Sequence, residues 1–412
     1  MASDTRYLIV GGGLAAARAV EGIREVDPEG PITVVTAEPH LPYERPPLSK
    51  GVLLESDQVD AAVPHDADWY AGQHATVITG DAVTAIDPQV HTATLASDRQ
   101  LTWDRLLLAT GSSVRRLSVP GAELPGVHYL RTMDDSLALL DAIRTGGDVV
   151  VVGAGWIGLE VAAAARQHGC RVTIVDPQPA PLLAVMGEQV GGWFADLHRS
   201  HGVDFRLGVG VARFEGEDAV RAVVTSEGES LPADTVVVGI GIWPSTELAE
   251  AAGLEVDNGV VTDEHLRTSL PDIWAAGDVA NWRSPLLGTH LRVEHWANAN
   301  DSGFDAGRSM AGTEVTYDPV PFFFSDQYDA GLEYTGHVGG EAAAEVVLRG
   351  DPSDGAFLAF WVEPQAGGVR VLAGMHVNTW DTIDAISALI RSGAVVAPGR
   401  LADPQVPLAE LG

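Results

Sequence analysis

The chain opens with a short apolar run, Tyr7-Leu8-Ile9-Val10, that breaks at Gly11-Gly12-Gly13 and resumes as an alanine-rich segment carrying charges at Arg18, Glu21 and Arg24. A β-branched and aliphatic run closed by glycines predicts a buried strand, and the segment after it predicts a helix. A second run, Ile32-Thr33-Val34-Val35, stops just before Glu38. The arrangement then recurs 142 residues later: Asp148–Val152 breaks at Gly153-Ala154-Gly155-Trp156-Ile157-Gly158, an apolar helix pattern follows, and Arg171–Val175 stops at Asp176. From about Asp318 the pattern changes to short alternating runs such as Val346–Leu348 and Val369–Leu372, with a helix predicted from Thr382 to Arg391. Pro398 to Gly412 reads as a loosely ordered tail.

Strand, glycine turn, helix and strand with an acid at its tip is the arrangement that binds a dinucleotide. The glycines let the backbone approach a pyrophosphate, the helix N-terminus favours its charge, and the acid accepts from an adenosine ribose. One such match is weak, and a tight turn in an α/β domain is the simpler reading of it. Two complete units predict two separate sites, one at Gly11, Gly13, Ala15, Ala16 and Glu38, the other at Gly153, Gly155, Ile157, Gly158 and Asp176. Asp176 would accept from a free 2′-hydroxyl and repel a 2′-phosphate, and Pro177 and Gln178 follow it rather than arginine, so NADH is expected over NADPH. Ala109-Thr110-Gly111, Gly241 and Gly277-Asp278 end further apolar runs in small-residue turns and suit a flavin nucleotide.

Composition narrows the partners. The 412 residues suggest two to four domains. With 25 basic and 57 acidic residues the net charge is −32, which argues against nucleic acid and against anionic membranes. No run approaches the length of apolar residues that a membrane span needs, and the Tyr7–Ala17 stretch reads better as a strand entering a glycine turn than as a signal peptide, so a cytoplasmic location is expected. The single Cys170 leaves no disulfide or paired redox centre within one chain and reads as a packed thiol, and the 13 histidines show no ligand spacing, so no metal is expected. Only one of the 25 cations, Lys50, is lysine.

The run Glu38-Pro39-His40-Leu41-Pro42-Tyr43-Glu44-Arg45-Pro46-Pro47-Leu48-Ser49-Lys50 resembles the flavin-proximal signature of a known family. To it are added Gly153 to Glu160, Gly277-Asp278, Glu294-His295-Trp296 and Pro321-Phe322-Phe323-Phe324-Ser325-Asp326-Gln327-Tyr328. Nearly the whole chain resembles the FAD-dependent, NADH-using ferredoxin reductases of bacterial oxygenase and cytochrome P450 systems. The resemblance implies an α/β fold with two Rossmann-like dinucleotide-binding domains in a glutathione reductase-like arrangement, plus a C-terminal α+β domain. On this reading the FAD domain is split over residues 1–112 and 244–317, the NAD domain spans 113–243, and the C-terminal domain spans 318–412. It implies that Gly11, Gly13 and Ala16, with Ala15 beside them, hold the FAD pyrophosphate and Glu38 its ribose. Arg45 and Lys50 then lie beside the flavin and its phosphates, Val83 offers backbone to the adenine, Arg131 makes a further contact, Asp278 binds the ribityl chain and Trp296 lies near the ring. Glu160 is implied near the nicotinamide, with Asp176 on the second ribose.

Lys50 is the candidate for tuning the flavin, since a cation there compensates charge arriving with a hydride. Lys50 and Glu160 are therefore the catalytic candidates. Trp156 stands where the family often has Tyr, Phe323-Phe324 where an aromatic pair including Trp is common, and Asn300-Asp301-Ser302-Gly303 departs from the family ending without explanation. The implied partner is an iron–sulfur ferredoxin, and through it a cytochrome P450 or oxygenase; monomer and homodimer stay open. Arg283, Arg292 and Arg308 are weak candidates for a local positive patch that would offset the overall charge. Disulfide reductases with the same two dinucleotide folds place redox cysteines where this chain has Arg45 to Lys50. The alternative is a flavoprotein with a signalling or interaction role resembling apoptosis-inducing factor.

Overall fold

The computed structural model describes residues 4–339 and 345–412 and divides into two compact units. The first comprises Met1–Pro46, Val59–Ser113 and Ile242–Pro319; the second comprises Pro47–Gln58, Val114–Gly241 and Val320–Gly412. Pro47–Gln58, which the sequence pattern leaves inside the first domain, is thus grouped with the second unit, and Val114–Gly241 and Val320–Gly412, which fall in ranges expected as separate domains, share that unit.

In the first unit the strands Ala75–Ile78, Ile32–Val35, Asp4–Val10 and Gln100–Leu108 lie side by side in parallel. Ile32–Val35 is buried along its length, as expected of a strand covered on both faces. The second half of Gln100–Leu108 also pairs in parallel with Ile273–Ala275, while its first half pairs antiparallel with Thr92–Leu95. Helix Leu14–Val26 packs along helix Trp296–Ala311 through small residues. A Cβ on Gly303 would come within 2.4 Å of the Ala15 carbonyl oxygen, and one on Gly307 within 2.3 Å of that of Ala19. This close approach explains Gly303 in the otherwise unaccounted Asn300–Gly303 segment.

The second unit has a parallel sheet ordered Val203–Leu207, Arg171–Asp176, Asp148–Val152, Thr235–Val238 and Val127–His128. Its C-terminal portion is an antiparallel sheet ordered Phe322–Gln327, Ala330–Gly336, Gly368–Val377, Phe357–Gln365 and Glu345–Arg349. One core joins the two: Phe323, Tyr334, Trp361 and Met375 pack in the same cluster as Val149, Leu159 and Phe194. Trp156 meets Phe323 edge-on with ring centres 5.0 Å apart, and Phe323 stacks on Tyr334 at 4.9 Å, so the substituted aromatics pack on one another.

The final segment is not a loose tail. Residues Pro398–Ala402 form a helical turn, Leu401 is fully buried and Leu411 nearly so, and Arg349 donates to the carbonyls of Val406 and Leu401. Two leucines ten residues apart anchor it to the outer face of the C-terminal sheet, beside Leu389 and Val396. Among the described residues no helix is long and apolar enough to cross a membrane.

Candidate functional site

The two glycine turns share one construction. At Gly11 the backbone adopts φ +146° and a Cβ would stand 2.0 Å from the Ala109 carbonyl oxygen; at Gly153 φ is +107° and a Cβ would stand 2.2 Å from that of Gly239. Neither position tolerates a side chain. The third positions are packed as well: Ala16 is fully buried, and a Cβ on Gly158 would meet the Gly153 carbonyl at 2.0 Å. The middle glycines, Gly13 and Gly155, instead face open space, with nothing within 4 Å of an added Cβ.

Each middle glycine is also the N-cap of the following helix, makes no side-chain capping bond, and is followed by no acidic residue in the first turn. The helix N-terminal N–H groups at each turn thus meet no capping side chain, and the approach over the middle glycine is open, which fits a pyrophosphate. Ile157, in the second turn, is 42% exposed. Ala109 continues the sheet by donating to Val10, Thr110 donates to the Ser245 carbonyl at 2.8 Å, and Gly111 and Gly241 both hold positive φ.

The strand-tip acids stand where the pattern puts them. Asp176 accepts from the backbone N–H of Ala154 and of Gln178, each at 2.7 Å, which ties the carboxylate to the second glycine turn. Glu38 accepts from the Tyr43 hydroxyl and pairs with Arg45 at 3.4 Å, while the Arg45 guanidinium lies 5.2 Å from the centre of the Tyr43 ring. Arg45 is thus brought to the ribose-side acid. In the same unit the Trp296 indole donates to Glu44 at 2.9 Å, so two members of separate motifs meet. Val83 begins a strand paired at Leu95. Arg131 precedes a helix whose Asp135 accepts from its backbone N–H. Asp278 lies in a short helical turn fixed by Ser302, whose Oγ accepts from the Gly277 N–H at 2.9 Å and donates to the Asn298 carbonyl. That accounts for Ser302 in the divergent segment.

Within the second unit, Lys50 and Glu160 form an ion pair. Lys50 Nζ donates to Glu160 Oε1 at 2.6 Å, with the lysine 17% and the glutamate 4% exposed. Ser325 donates to the same oxygen at 2.6 Å and Ser49 to Oε2 at 2.5 Å, so the buried carboxylate receives three donors. This is what a buried charge requires. The ammonium also lies 5.6 Å from the centre of the Phe324 ring. Lys50 is therefore not a bare cation, and Ser49 and Ser325, both inside the motifs quoted from the sequence, are site residues that sequence reasoning passed over.

The expected positive patch needs correction. Arg292 pairs with Glu294 at 2.6 Å and Arg308 with Glu25 and Asp305 at 3.3 Å, so these two arginines are neutralised by neighbours and do not make a positive patch with the exposed Arg283. Cys170, by contrast, behaves as its sequence context suggests: it is fully buried, donates to the Ile143 carbonyl, and burial pushes its thiol up, consistent with an inert packed residue.

Comparison with known proteins agrees with this construction. The family described as pyridine nucleotide-disulphide oxidoreductase matches residues 5–303, and the reductase C-terminal family matches residues 322–412. The chain is 40% identical to the anthranilate 1,2-dioxygenase system ferredoxin–NAD(+) reductase component of Burkholderia cepacia, over 98% of each chain. It is 37% identical to rhodocoxin reductase of Rhodococcus erythropolis, over 96% of this chain and 92% of that one. Among solved structures it resembles the reductase of a covalent putidaredoxin reductase–putidaredoxin complex, with a TM-score of 0.93 at 36% identity, covering 99% of this chain and 98% of that one. With both glycine turns intact and these relatives matched almost end to end, the protein belongs to the pyridine nucleotide-disulphide oxidoreductase family, in its group of ferredoxin reductases with a reductase C-terminal domain.

Proposed function

We infer that the protein is an FAD-dependent NADH:ferredoxin oxidoreductase whose ferredoxin, an iron–sulfur protein, serves a cytochrome P450 or a ring-hydroxylating oxygenase. The observation that carries this is the pair of glycine turns, each packed at its outer positions and open at the middle one. The reductases among its relatives and the matched reductase C-terminal family favour this over an interaction protein resembling apoptosis-inducing factor. FAD, when bound, supplies a group that takes a hydride from NADH and gives up the electrons singly.

The chain's own residues bind, orient and exclude water. Gly11, Gly13, Ala15 and Ala16 would cradle the FAD pyrophosphate and Glu38 its ribose, with Arg45, Val83, Ala109, Thr110, Gly111, Arg131, Gly241, Asp278 and Trp296 completing that site. Gly153, Gly155, Ile157 and Gly158 would take the NADH pyrophosphate and Asp176 its ribose. Glu160 orients the nicotinamide end, and Lys50 supplies a positive charge whose field is moderated by the carboxylate it pairs with. In this reading residues 1–112 with 244–317 serve FAD, residues 113–243 serve NADH, residues 318–412 help receive the ferredoxin, and the enzyme works in the cytoplasm.

Anaerobic titration tests it. The purified protein should show flavin absorbance that NADH bleaches, and NADH-dependent cytochrome c reduction should require an added [2Fe–2S] ferredoxin. Slow bleaching with turnover indifferent to any ferredoxin would favour the interaction role.

A further inference from the structure

The Glu160 carboxylate ends a longer chain of polar groups buried within the second unit. Ser325 Oγ, 2.6 Å from Glu160 Oε1, lies 3.2 Å from Gln327 Nε2; Gln327 Oε1 lies 2.9 Å from His198 Nε2; and the Tyr328 hydroxyl lies 3.4 Å from His198 Nδ1. Ser325 and Gln327 are each 1% exposed and His198 is fully buried. None of the four belongs to a glycine turn or a strand-tip acid.

The direction of every hydrogen bond in this chain follows from one fact. A carboxylate facing an ammonium has no proton, so the Ser325 hydroxyl must donate to Glu160. Ser325 oxygen is then left to accept, and the neighbouring donor is the Gln327 amide nitrogen. That fixes the amide orientation and leaves its oxygen to accept from His198 Nε2–H. His198 Nδ1 is then bare and can only accept, from the Tyr328 hydroxyl. All four donors point toward Glu160, and the reversed tautomer would set two acceptors against each other, either His198 Nε2 and Gln327 Oε1 or, with the amide flipped, Gln327 Oε1 and Ser325 Oγ.

We propose that Ser325, Gln327 and His198 are positioning residues that fix the Glu160 carboxylate against Lys50 through a hydrogen-bond chain running in one direction. The inference rests on the reading that Glu160 and Lys50 serve hydride transfer. Aligned hydrogen bonds in a low-dielectric interior polarise one another and hold a buried group to one rotamer. The histidine suits this place because it stays neutral. Burial, with the nearby His201 adding to it and the Gln327 bond opposing it, lowers the imidazole to about 4. The ring is locked from outside as well, since His201 stacks on Tyr328 with ring centres 3.7 Å apart and Tyr328 meets His198 edge-on at 5.1 Å.

The test has two arms. In the first, nitrogen-15 shifts of His198, assigned against His198→Asn, should show the neutral Nε2–H tautomer in the unaltered protein and a mixture of tautomers in Gln327→Leu. An Nδ1–H tautomer or an imidazolium near neutral pH in the unaltered protein overturns the proposal. In the second, stopped-flow reduction of bound flavin by NADH should show a limiting rate about 10-fold lower in Ser325→Ala, where the charged group loses a donor, and a smaller drop of about 3-fold in Gln327→Leu, where only the donor to Ser325 is lost. The NADH dissociation constant should stay within about twofold, since none of the three groups belongs to the pyrophosphate turn. Ser325→Cys, similar in shape but a weaker donor, should fall between. Unaltered limiting rates in both folded variants overturn the proposal. A protein that NADH does not reduce at all would instead overturn the reductase reading and leave the first arm to decide the chain.

Discussion

Lys50 Nζ lies 2.6 Å from Glu160 Oε1, though 110 residues separate the two in sequence. The only lysine of an anionic chain is thus held by a carboxylate that is 4% exposed. Removing either partner leaves the other charge buried and unbalanced, which is costlier than removing both. Lys50→Met should therefore destabilise the second unit by about 3 kcal/mol, and Glu160→Gln by a similar amount, while the double variant should cost clearly less than their sum. Thermal unfolding of the four proteins in a double-mutant cycle checks this, and flavin reduction measured alongside should slow in both single variants.

The glycine turns predict a contrast between neighbouring positions. Gly153→Ala forces a Cβ against the Gly239 carbonyl and should reduce folded yield or melting temperature. Gly155→Ala meets nothing within 4 Å, so the fold should persist while NADH binding weakens by about 10-fold, because the methyl occupies the approach to the pyrophosphate. Gly11→Ala and Gly13→Ala should repeat the contrast for flavin content, read from the absorbance ratio of the purified proteins.

Much of this could be read in the sequence because it depends on local spacing. A strand, a glycine turn and an acid some 20 residues on are fixed by neighbours in the chain, so Gly13, Gly155, Glu38 and Asp176 stand out from residue order alone. The partners of Glu160 depend on tertiary packing instead. Ser325 reaches it across 165 residues and Ser49 across 111, and no periodicity encodes either contact. The same limit explains Arg292 and Arg308, whose flanking position suggested a positive patch and whose carboxylate neighbours erase it. Pro398–Gly412 was illegible for another reason: too short and proline-broken for a periodic signal, it is held by Leu401, Leu411 and the buried Arg349.

That anchored segment makes a prediction of its own. Leu401 is fully buried among Leu389, Val396 and Val362, so Leu401→Ala should destabilise the second unit by about 2–5 kcal/mol. A loose tail would tolerate the change, and urea denaturation followed by tryptophan fluorescence distinguishes the two outcomes.

His198 gives the fold a pH dependence of known sign. Its imidazole titrates near 6.5 when exposed and is lowered to about 4 by burial in the folded chain, where Gln327, Tyr328 and His201 face it. As pH falls from 6.5 the unfolded chain takes up a proton that the folded chain refuses, so stability declines until pH reaches about 4. The loss amounts to about 3 kcal/mol at the lower end. Denaturation midpoints measured between pH 7 and pH 4 should fall less steeply in His198→Asn.

Asp176 predicts cofactor choice. Its charge at the second strand tip, held by Ala154 and Gln178, should give a higher kcat/KM with NADH than with NADPH. Asp176→Ser should narrow that ratio by about 10-fold or more, as expected when a single close charge repulsion is lifted. A preference for NADPH in the unaltered protein would contradict the assignment.

The central claim is that NADH reduces a bound flavin whose electrons then leave to a ferredoxin, and anaerobic double-mixing stopped-flow measures it directly. Mixing with one equivalent of NADH should bleach the flavin within the dead time to seconds, and a second mixing with an oxidised [2Fe–2S] ferredoxin should restore the flavin absorbance as the iron–sulfur band is reduced. Flavin that stays reduced in the presence of every ferredoxin tried, while reoxidising freely with oxygen or small acceptors, would contradict the account.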